Sequence, residues 1–376
     1  MKTRITLTAL VAAAVLAGIV GCSQPVTPPE ETPSPTAPVT VEVSPTPTPT
    51  PTPTYVIPTV AEPWQPGQFQ EGIQIYWHAN GEPIGSVMDR ADQIMDYVVS
   101  TGANSVGITF PIYTDGPWPT RVYVDAETPT VDELTRVIAA AKERKLRVLL
   151  RASIDEANIM STQDEWRGSI SPQDVRAWFD SYIETLTPYW KMAKATGTDE
   201  VSLGVELTSL ESQVDRWNGV RQAASGVFPG TLSYAINWNE YESGGPIDSL
   251  AVDAYPRIEL GDDASVEQLV AAWNEWLALR PVESRRTIVL QEVGIPAESG
   301  KYARPWSWGD DTALNLAVQA NWFAASCQAA RQSETAGIYY WMIDSNIDFA
   351  ALNPETDPVG SFVGRPAEDS LKACFA

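Results

Sequence analysis

Two glutamates offer this sequence's clearest chemistry. Each closes a run of strand-forming residues: Val201-Ser202-Leu203-Gly204-Val205-Glu206-Leu207, and Arg286-Thr287-Ile288-Val289-Leu290-Gln291-Glu292-Val293-Gly294. A carboxylate at the end of an otherwise apolar strand is hard to explain as packing, because charged groups are seldom buried without partners. In a parallel barrel the C-terminal strand ends hold the reacting groups. Two carboxyl groups meeting there suit hydrolysis of a glycosidic bond with retention, at a separation of ~5 to 5.5 Å. The reading is Glu206 as acid/base and Glu292 as nucleophile. The acid must carry a proton near neutral pH, whereas the nucleophile must stay ionised and needs hydrogen-bond donors. Tyr255 and Arg151, each closing another apolar run, are candidate donors. The plainer alternative is a salt bridge at the barrel mouth, with Arg151 or Arg167 as the cation. Strict alternation would turn Ser202 and Gly204 inward with Glu206, and Ile288 and Leu290 inward with Glu292.

The elements that must position these groups can be read along the chain. Eight apolar runs have strand character: 73–78, 104–110, 146–152, 201–207, 231–237, 248–255, 286–292 and 336–343. Helical patterns lie between most of them. Ser171-Pro172 has the form of an N-cap followed by Pro at the first helical position. Val175, Trp178, Phe179, Tyr182, Leu186 and Ala193 then mark one helix face. Thr130 to Glu133 and Ser265 to Gln268 have the form of capping boxes. Strand and helix alternating in this way predict an α/β fold, a single (β/α)8 TIM barrel over residues 69–376. Between the fifth and sixth runs, residues 238–247 leave room for little more than a helical turn.

The chain has 376 residues and a formal charge of −23. That charge argues against a nucleic-acid partner, whose phosphates need a basic surface, and is compatible with a neutral polysaccharide. The 14 Trp and 13 Tyr supply aromatic faces that stack on sugar rings, although most must fill the core. The single His, His78, excludes most zinc sites and any Ser-His-Asp scheme not built on it. It follows Trp77 at the end of the first run, and both are candidate sugar contacts. No cofactor and no metal are implied.

Residues 1–21 read as an export leader, with Lys2 and Arg4 before an apolar run. The leader ends Ile19-Val20-Gly21-Cys22, which resembles a bacterial lipobox and implies lipidation of Cys22. Residues 22–68 are expected to form a disordered tether rich in Pro and Thr, reaching on the order of 130 Å if extended. These features predict an exported lipoprotein, anchored to the membrane, facing outward and acting as a monomer. In an exported domain Cys327 and Cys374 can pair as a disulfide or remain buried thiols.

Several segments together resemble the retaining clan A glycoside hydrolases, and are most similar to glycoside hydrolase family 113, the β-mannanase family. They are Gly102 to Ile108, Trp166-Arg167-Gly168 followed by Ala177 to Tyr182, Gly204 to Glu211, Ser233 to Trp238, Asp253-Ala254-Tyr255-Pro256, Gln291-Glu292-Val293-Gly294 and Tyr340-Trp341. The resemblance spans about residues 70 to 345, and it rests on the order and spacing of these segments. It implies that Glu206 is the acid/base, Glu292 the nucleophile and Trp341 the platform under the sugar at the cleaved bond. It also implies sugar contacts at Asn237, Trp238 and Tyr255. Two positions depart from the pattern. Val205 stands where many clan A enzymes carry Asn, and the third run ends Arg151-Ala152-Ser153 where a His is expected. The implied activity is endo-acting hydrolysis of β-mannan or a related hemicellulose, with another β-glycan as the nearest alternative. A sugar-binding barrel without turnover is the alternative of a different class. Loops 112–129 and 295–310, the latter with Trp306 and Trp308, are the expected walls of the site.

Overall fold

The computed structural model describes residues 55–155, 159, 165–308, 312–356 and 361–376. The leader, Cys22 and the tether as far as residue 54 lie outside the described residues. The strands are β1 (Gln70–Tyr76), β2 (Ser105–Thr114), β3 (Val122–Tyr123), β4 (Arg147–Ile154), β5 (Glu200–Val205), β6 (Thr231–Asn237), β7 (Leu250–Asp253), β8 (Val289–Val293) and β9 (Gly337–Asp344). Eight of them run parallel in the order β1-β9-β8-β7-β6-β5-β4-β2, and pairing of β1 with β2 closes the barrel. The short β3 pairs antiparallel with the end of β2, outside the ring. Strands packed on both faces must be almost wholly apolar or internally satisfied, which is why these segments stood out in the sequence.

The helices are α1 (Ile84–Ser100), α2 (Val131–Glu143), α3 (Val175–Thr196), α4 (Val214–Ser225), α5 (Val266–Leu277), α6 (Val282–Arg285), α7 (Leu316–Gln332) and α8 (Pro366–Phe375). Their apolar faces pack on the outside of the barrel, and that layer is the main core. Both expected capping boxes form, at Thr130/Glu133 and Ser265/Gln268. The α3 cap is Asp174 rather than Ser171, whose backbone N–H is committed to the Pro117 carbonyl. Between β6 and β7 the connection holds only a single 3-10 turn, Trp238–Glu240. A disulfide joins Cys327 of α7 to Cys374 of α8.

The compact unit begins at Tyr55, earlier than the expected boundary at residue 69. The Tyr55 hydroxyl meets Asp96, and the Val60 N–H donates to the Arg144 carbonyl at 3.0 Å. Trp64 lies under the guanidinium of Arg147, 4.9 Å from its ring centre. Arg147 opens β4, so this arm covers the N-terminal mouth of the barrel, opposite the strand ends that carry the glutamates. Its Pro-rich composition hid a segment held by a few specific contacts.

The barrel interior is polar along much of its length. Arg147 pairs with Glu200 of β5, whose carboxylate also accepts from Ser233 of β6 and from Gln291 of β8 at 2.8 Å. Gln74 of β1 donates to the Gln291 carbonyl at 2.7 Å. Contacts between β5 and β8 can only cross the interior. Leu149, Val289 and Tyr339 form a small separate apolar layer within it.

Candidate active site

Strict alternation along β5 and β8 does not hold, and its failure shapes the site. In β5 the pairing with β6 runs from Ser202–Ser233 to Val205–Ala235, so β5 spends one extra residue. Any Cβ at Gly204 would press on Tyr234 and on Trp217 of α4, which places this residue against the helix layer and not on the axis. In β8 the pairing with β9 runs from Leu290–Ile338 to Val293–Tyr340, again with one extra residue. Ile288 and Leu290 lie in the outer core, while Val289 and Gln291 point inward. A bulge of this kind bends a strand and re-aims the side chains that follow it. Glu206 and Glu292 each sit at such a place. Glu206 also has φ of 52°, a left-handed conformation that costs a non-glycine residue roughly 1–2 kcal/mol.

Both carboxyl groups line one cavity of about 650 Å³ at the barrel mouth. Asn237, Trp238, Tyr255 and Trp341 line it too, as the sequence led us to expect. Asn237 closes β6 and caps the turn after it, its Oδ1 accepting from the Asn239 N–H at 3.3 Å. That fixes the amide so that Nδ2 donates to Glu206 Oε1 at 2.7 Å. On the other side of Glu206, Arg167 Nη1 lies 3.6 Å from Oε2 and donates to Ser153 at 2.8 Å.

Glu292 has closer charged company. Arg151 Nη1 lies 2.8 Å from its Oε1, and the Tyr255 hydroxyl donates to its Oε2 at 2.9 Å. Arg151 is fully buried, and its second nitrogen donates to Asp253 at 2.6 Å. Burial alone would weaken its charge, but Asp253, Glu292 and Glu206 together hold its pKa above the ordinary arginine value. Burial pushes Asp253 well above the usual carboxylate range, with Glu292 and Glu206 adding to the shift against the pull of Arg151. Burial likewise raises the Tyr255 phenol, reinforced by Glu292, Asp253 and Glu206. Arg151 is thus a support beneath the nucleophile position, and it does not line the cavity.

A second carboxyl group lies behind Glu206. Tyr234 accepts from the Leu207 N–H at 3.2 Å, and its phenol also meets Glu211. Burial raises the Glu211 pKa to about 7, against the Tyr234 hydrogen bond and with help from Glu240.

Two expected sugar contacts lie elsewhere. Trp77 is completely buried in the layer between barrel and helices, with Arg90 of α1 4.8 Å from its ring centre. Gln74 and Tyr76 take the inward positions of β1, so the next residue must face outward. His78 is not among the residues lining the cavity; it lies edge-on to Tyr76 and 3.9 and 3.8 Å from Glu127 and Asp344. Tyr76 in turn meets Trp341 edge to face.

Asp253, as the partner of Arg151, and Trp166, as a wall of the cavity, were not singled out from the sequence. Asp253 carried a usable signal. Like the two glutamates it ends an apolar strand, and a buried carboxylate there requires a cation. Trp166 sits in an irregular segment, where no periodicity reports direction. Trp306 and Trp308 complete the wall, as expected for the 295–310 loop.

The family model of Glycoside Hydrolase Family 113 matches residues 77–355 of the chain. No curated protein matches it in sequence. Among solved structures, a GH113 β-1,4-mannanase superposes with a TM-score of 0.69 at 21% identity, covering 82% of this chain and 99% of its own. The GH113 β-mannanase of Alicyclobacillus acidocaldarius, in complex with ManMIm, superposes with a TM-score of 0.66 at 21% identity, over 82% and 97%. The endo-β-1,4-mannanase of Thermotoga petrophila gives 0.54 at 12%, over 82% and 76%. At these identities the likeness establishes the barrel.

Proposed function

The chain belongs to glycoside hydrolase family 113, and from that premise we propose that it hydrolyses β-1,4-linked mannan or a related hemicellulose with retention of configuration. The observation that carries this reading is the meeting of Glu206 and Glu292 in one aromatic-lined cavity, each on a bulged strand end. Both have an arginine nearby, which alone would suit a structural salt bridge, yet both face the cavity. The names of the structural neighbours, β-mannanases, support mannan as the polymer.

The chemistry follows from the unlike surroundings. Glu292, paired with Arg151 and accepting from Tyr255, attacks the anomeric carbon as the carboxylate. Glu206 gives its proton to the glycosidic oxygen, and the leaving sugar departs with it. The glycosyl ester on Glu292 is then cleaved by water, which passes a proton to Glu206 and restores both groups. Trp341 lies beneath the sugar held at Glu292. Asn237 holds an amide against Glu206.

The test is reducing-sugar release from β-mannan, β-glucan and xylan by residues 55–376, with Glu292→Ala as control. Release from mannan that vanishes in the variant is expected. Binding without turnover on every polymer would replace the enzyme with a sugar-binding barrel. The leader and Cys22 support a lipid-anchored, outward-facing enzyme tethered by the Pro/Thr-rich segment. Cys22→Ser should then move the protein out of the membrane fraction.

A further inference from the structure

Glu206 is held in a left-handed backbone conformation, with φ of 52°, and the hydrolytic scheme leaves open what holds it there. A strained residue persists only where its surroundings over-determine it. Here two consecutive residues of β6 fix the peptides on either side. The Glu206 N–H donates to the Ala235 carbonyl at 2.8 Å. The N–H of the next residue, Leu207, donates to the Tyr234 hydroxyl at 3.2 Å. The first bond continues the strand ladder, whereas the second uses a side chain where the ladder has ended.

Tyr234 reaches that N–H because β5 makes room for it. Its ring is fully buried and meets Trp217 of α4 edge to face, with centres 4.9 Å apart. A Cβ at Gly204 would stand 2.6 Å from the Tyr234 ring, closer than side-chain atoms approach one another. The ring therefore occupies the space that a side chain at Gly204 would take.

A phenol carries one proton. Tyr234 accepts from Leu207, so that proton is left for Glu211, to which the phenol hydrogen-bonds. Glu211 ends the 3-10 turn Thr208–Leu210 that follows Glu206, its own N–H donating to the Thr208 carbonyl at 3.2 Å. Turn, carboxyl group, phenol and strand end thus close a loop around the Leu207 peptide. Glu211 Oε1 is shut off from solvent and has no hydrogen-bond partner among the described residues. Burying a carboxyl oxygen in this way is costly, and what the group does there is orient the phenol. We infer that Tyr234 and Glu211 are positioning residues for the acid/base. Glu211 takes the phenol proton, which aims the oxygen of Tyr234 at the Leu207 N–H and keeps the Glu206 carboxyl group aligned with the glycosidic oxygen. Neither residue lines the cavity. This rests on the hydrolase reading above, with Glu206 as its acid.

The experiment compares two substrates that differ in their need for an acid. One is a β-1,4-manno-oligosaccharide, whose leaving oxygen must be protonated, and the other a dinitrophenyl β-mannobioside, whose phenolate departs unaided. Tyr234→Phe keeps the ring and removes the hydrogen bond. Its kcat/KM on the oligosaccharide should fall about tenfold or more, with the aryl substrate changed by less than about twofold. Glu211→Ala leaves the phenol without its acceptor and should show the same split to a smaller degree. Glu211→Gln, whose amide oxygen still accepts from the phenol, should stay within about threefold of the wild type on both. The Glu211 variants lie on a half-buried turn and carry the test if the core substitution unfolds the chain. Equal loss on both substrates, or wild-type rates on the oligosaccharide, overturns the positioning role. Failure of the wild-type protein on both substrates would instead overturn the hydrolase reading beneath it.

Discussion

The ends of β5 and β8 carry the same residue type after the same kind of register slip, yet they treat it differently. Glu292 faces a fully buried arginine at 2.8 Å and a phenol at 2.9 Å, both fixed by β4 and by the chain just after β7. Glu206 faces a neutral amide at 2.7 Å and a partly exposed arginine at 3.6 Å, held by an irregular segment. One carboxyl group has a buried cation and a phenol close at hand. The other has an amide close by and its arginine farther off. The difference arises less from the glutamates than from which side chains the neighbouring elements bring to them.

Removing each glutamate should break the comparison most visibly. Glu292→Ala should lower kcat on the order of 10⁴-fold or more whatever the leaving group, since no covalent intermediate can form. Glu206→Ala should cost roughly 10² to 10⁴-fold on mannan and much less on a substrate with an activated leaving group. Added azide sharpens the contrast. It should give a glycosyl azide of inverted configuration with Glu292→Ala and of retained configuration with Glu206→Ala, read by proton NMR. The same anomer from both would refute the assignment.

The arginines should differ next. Arg151→Met strands Asp253 and Glu292 in the interior, and thermal unfolding should show a loss of about 3 kcal/mol or more. Arg167→Met should cost less than Arg151→Met, because its pair with Glu206 is longer, at 3.6 Å. Equal costs would refute the contrast between the two ion pairs.

The smallest expected effect concerns pH. The Glu211 pKa is raised from 4.5 to about 7 by burial. Between those values the folded state holds a proton that the unfolded chain has lost, so stability must fall as pH rises through that window. The melting temperature of the wild-type protein should therefore decline relative to Glu211→Gln from pH 4.5 to 7, and parallel curves would refute the shift.

Much of this was legible in the sequence for a simple reason. Strands β5 and β8 are buried on both faces, so their composition departs from any surface pattern, and a terminal glutamate is conspicuous. Asn237, Trp238 and Trp341 were found through the resemblance carried by their segments, and Tyr255 also by its place at the end of an apolar run. Trp77 was misplaced because a residue at a strand end takes its direction from register, and Tyr76 already held the inward position. The arm at 55–68 was missed because its few anchors, Tyr55, Val60 and Trp64, lie in Pro-rich text without periodicity.

The sequence by itself determined the alternation of strands and helices, the polar strand ends and the two carboxyl groups, because these follow from local composition and short-range period. Tertiary structure alone decided that one extra residue in each of β5 and β8 turns those groups into a shared cavity. It also decided that Arg151 would serve Asp253 and Glu292 together, and that Trp306 would reach Trp238. A bulge exists only relative to a partner strand, and a charge finds its partners only when distant segments close around it.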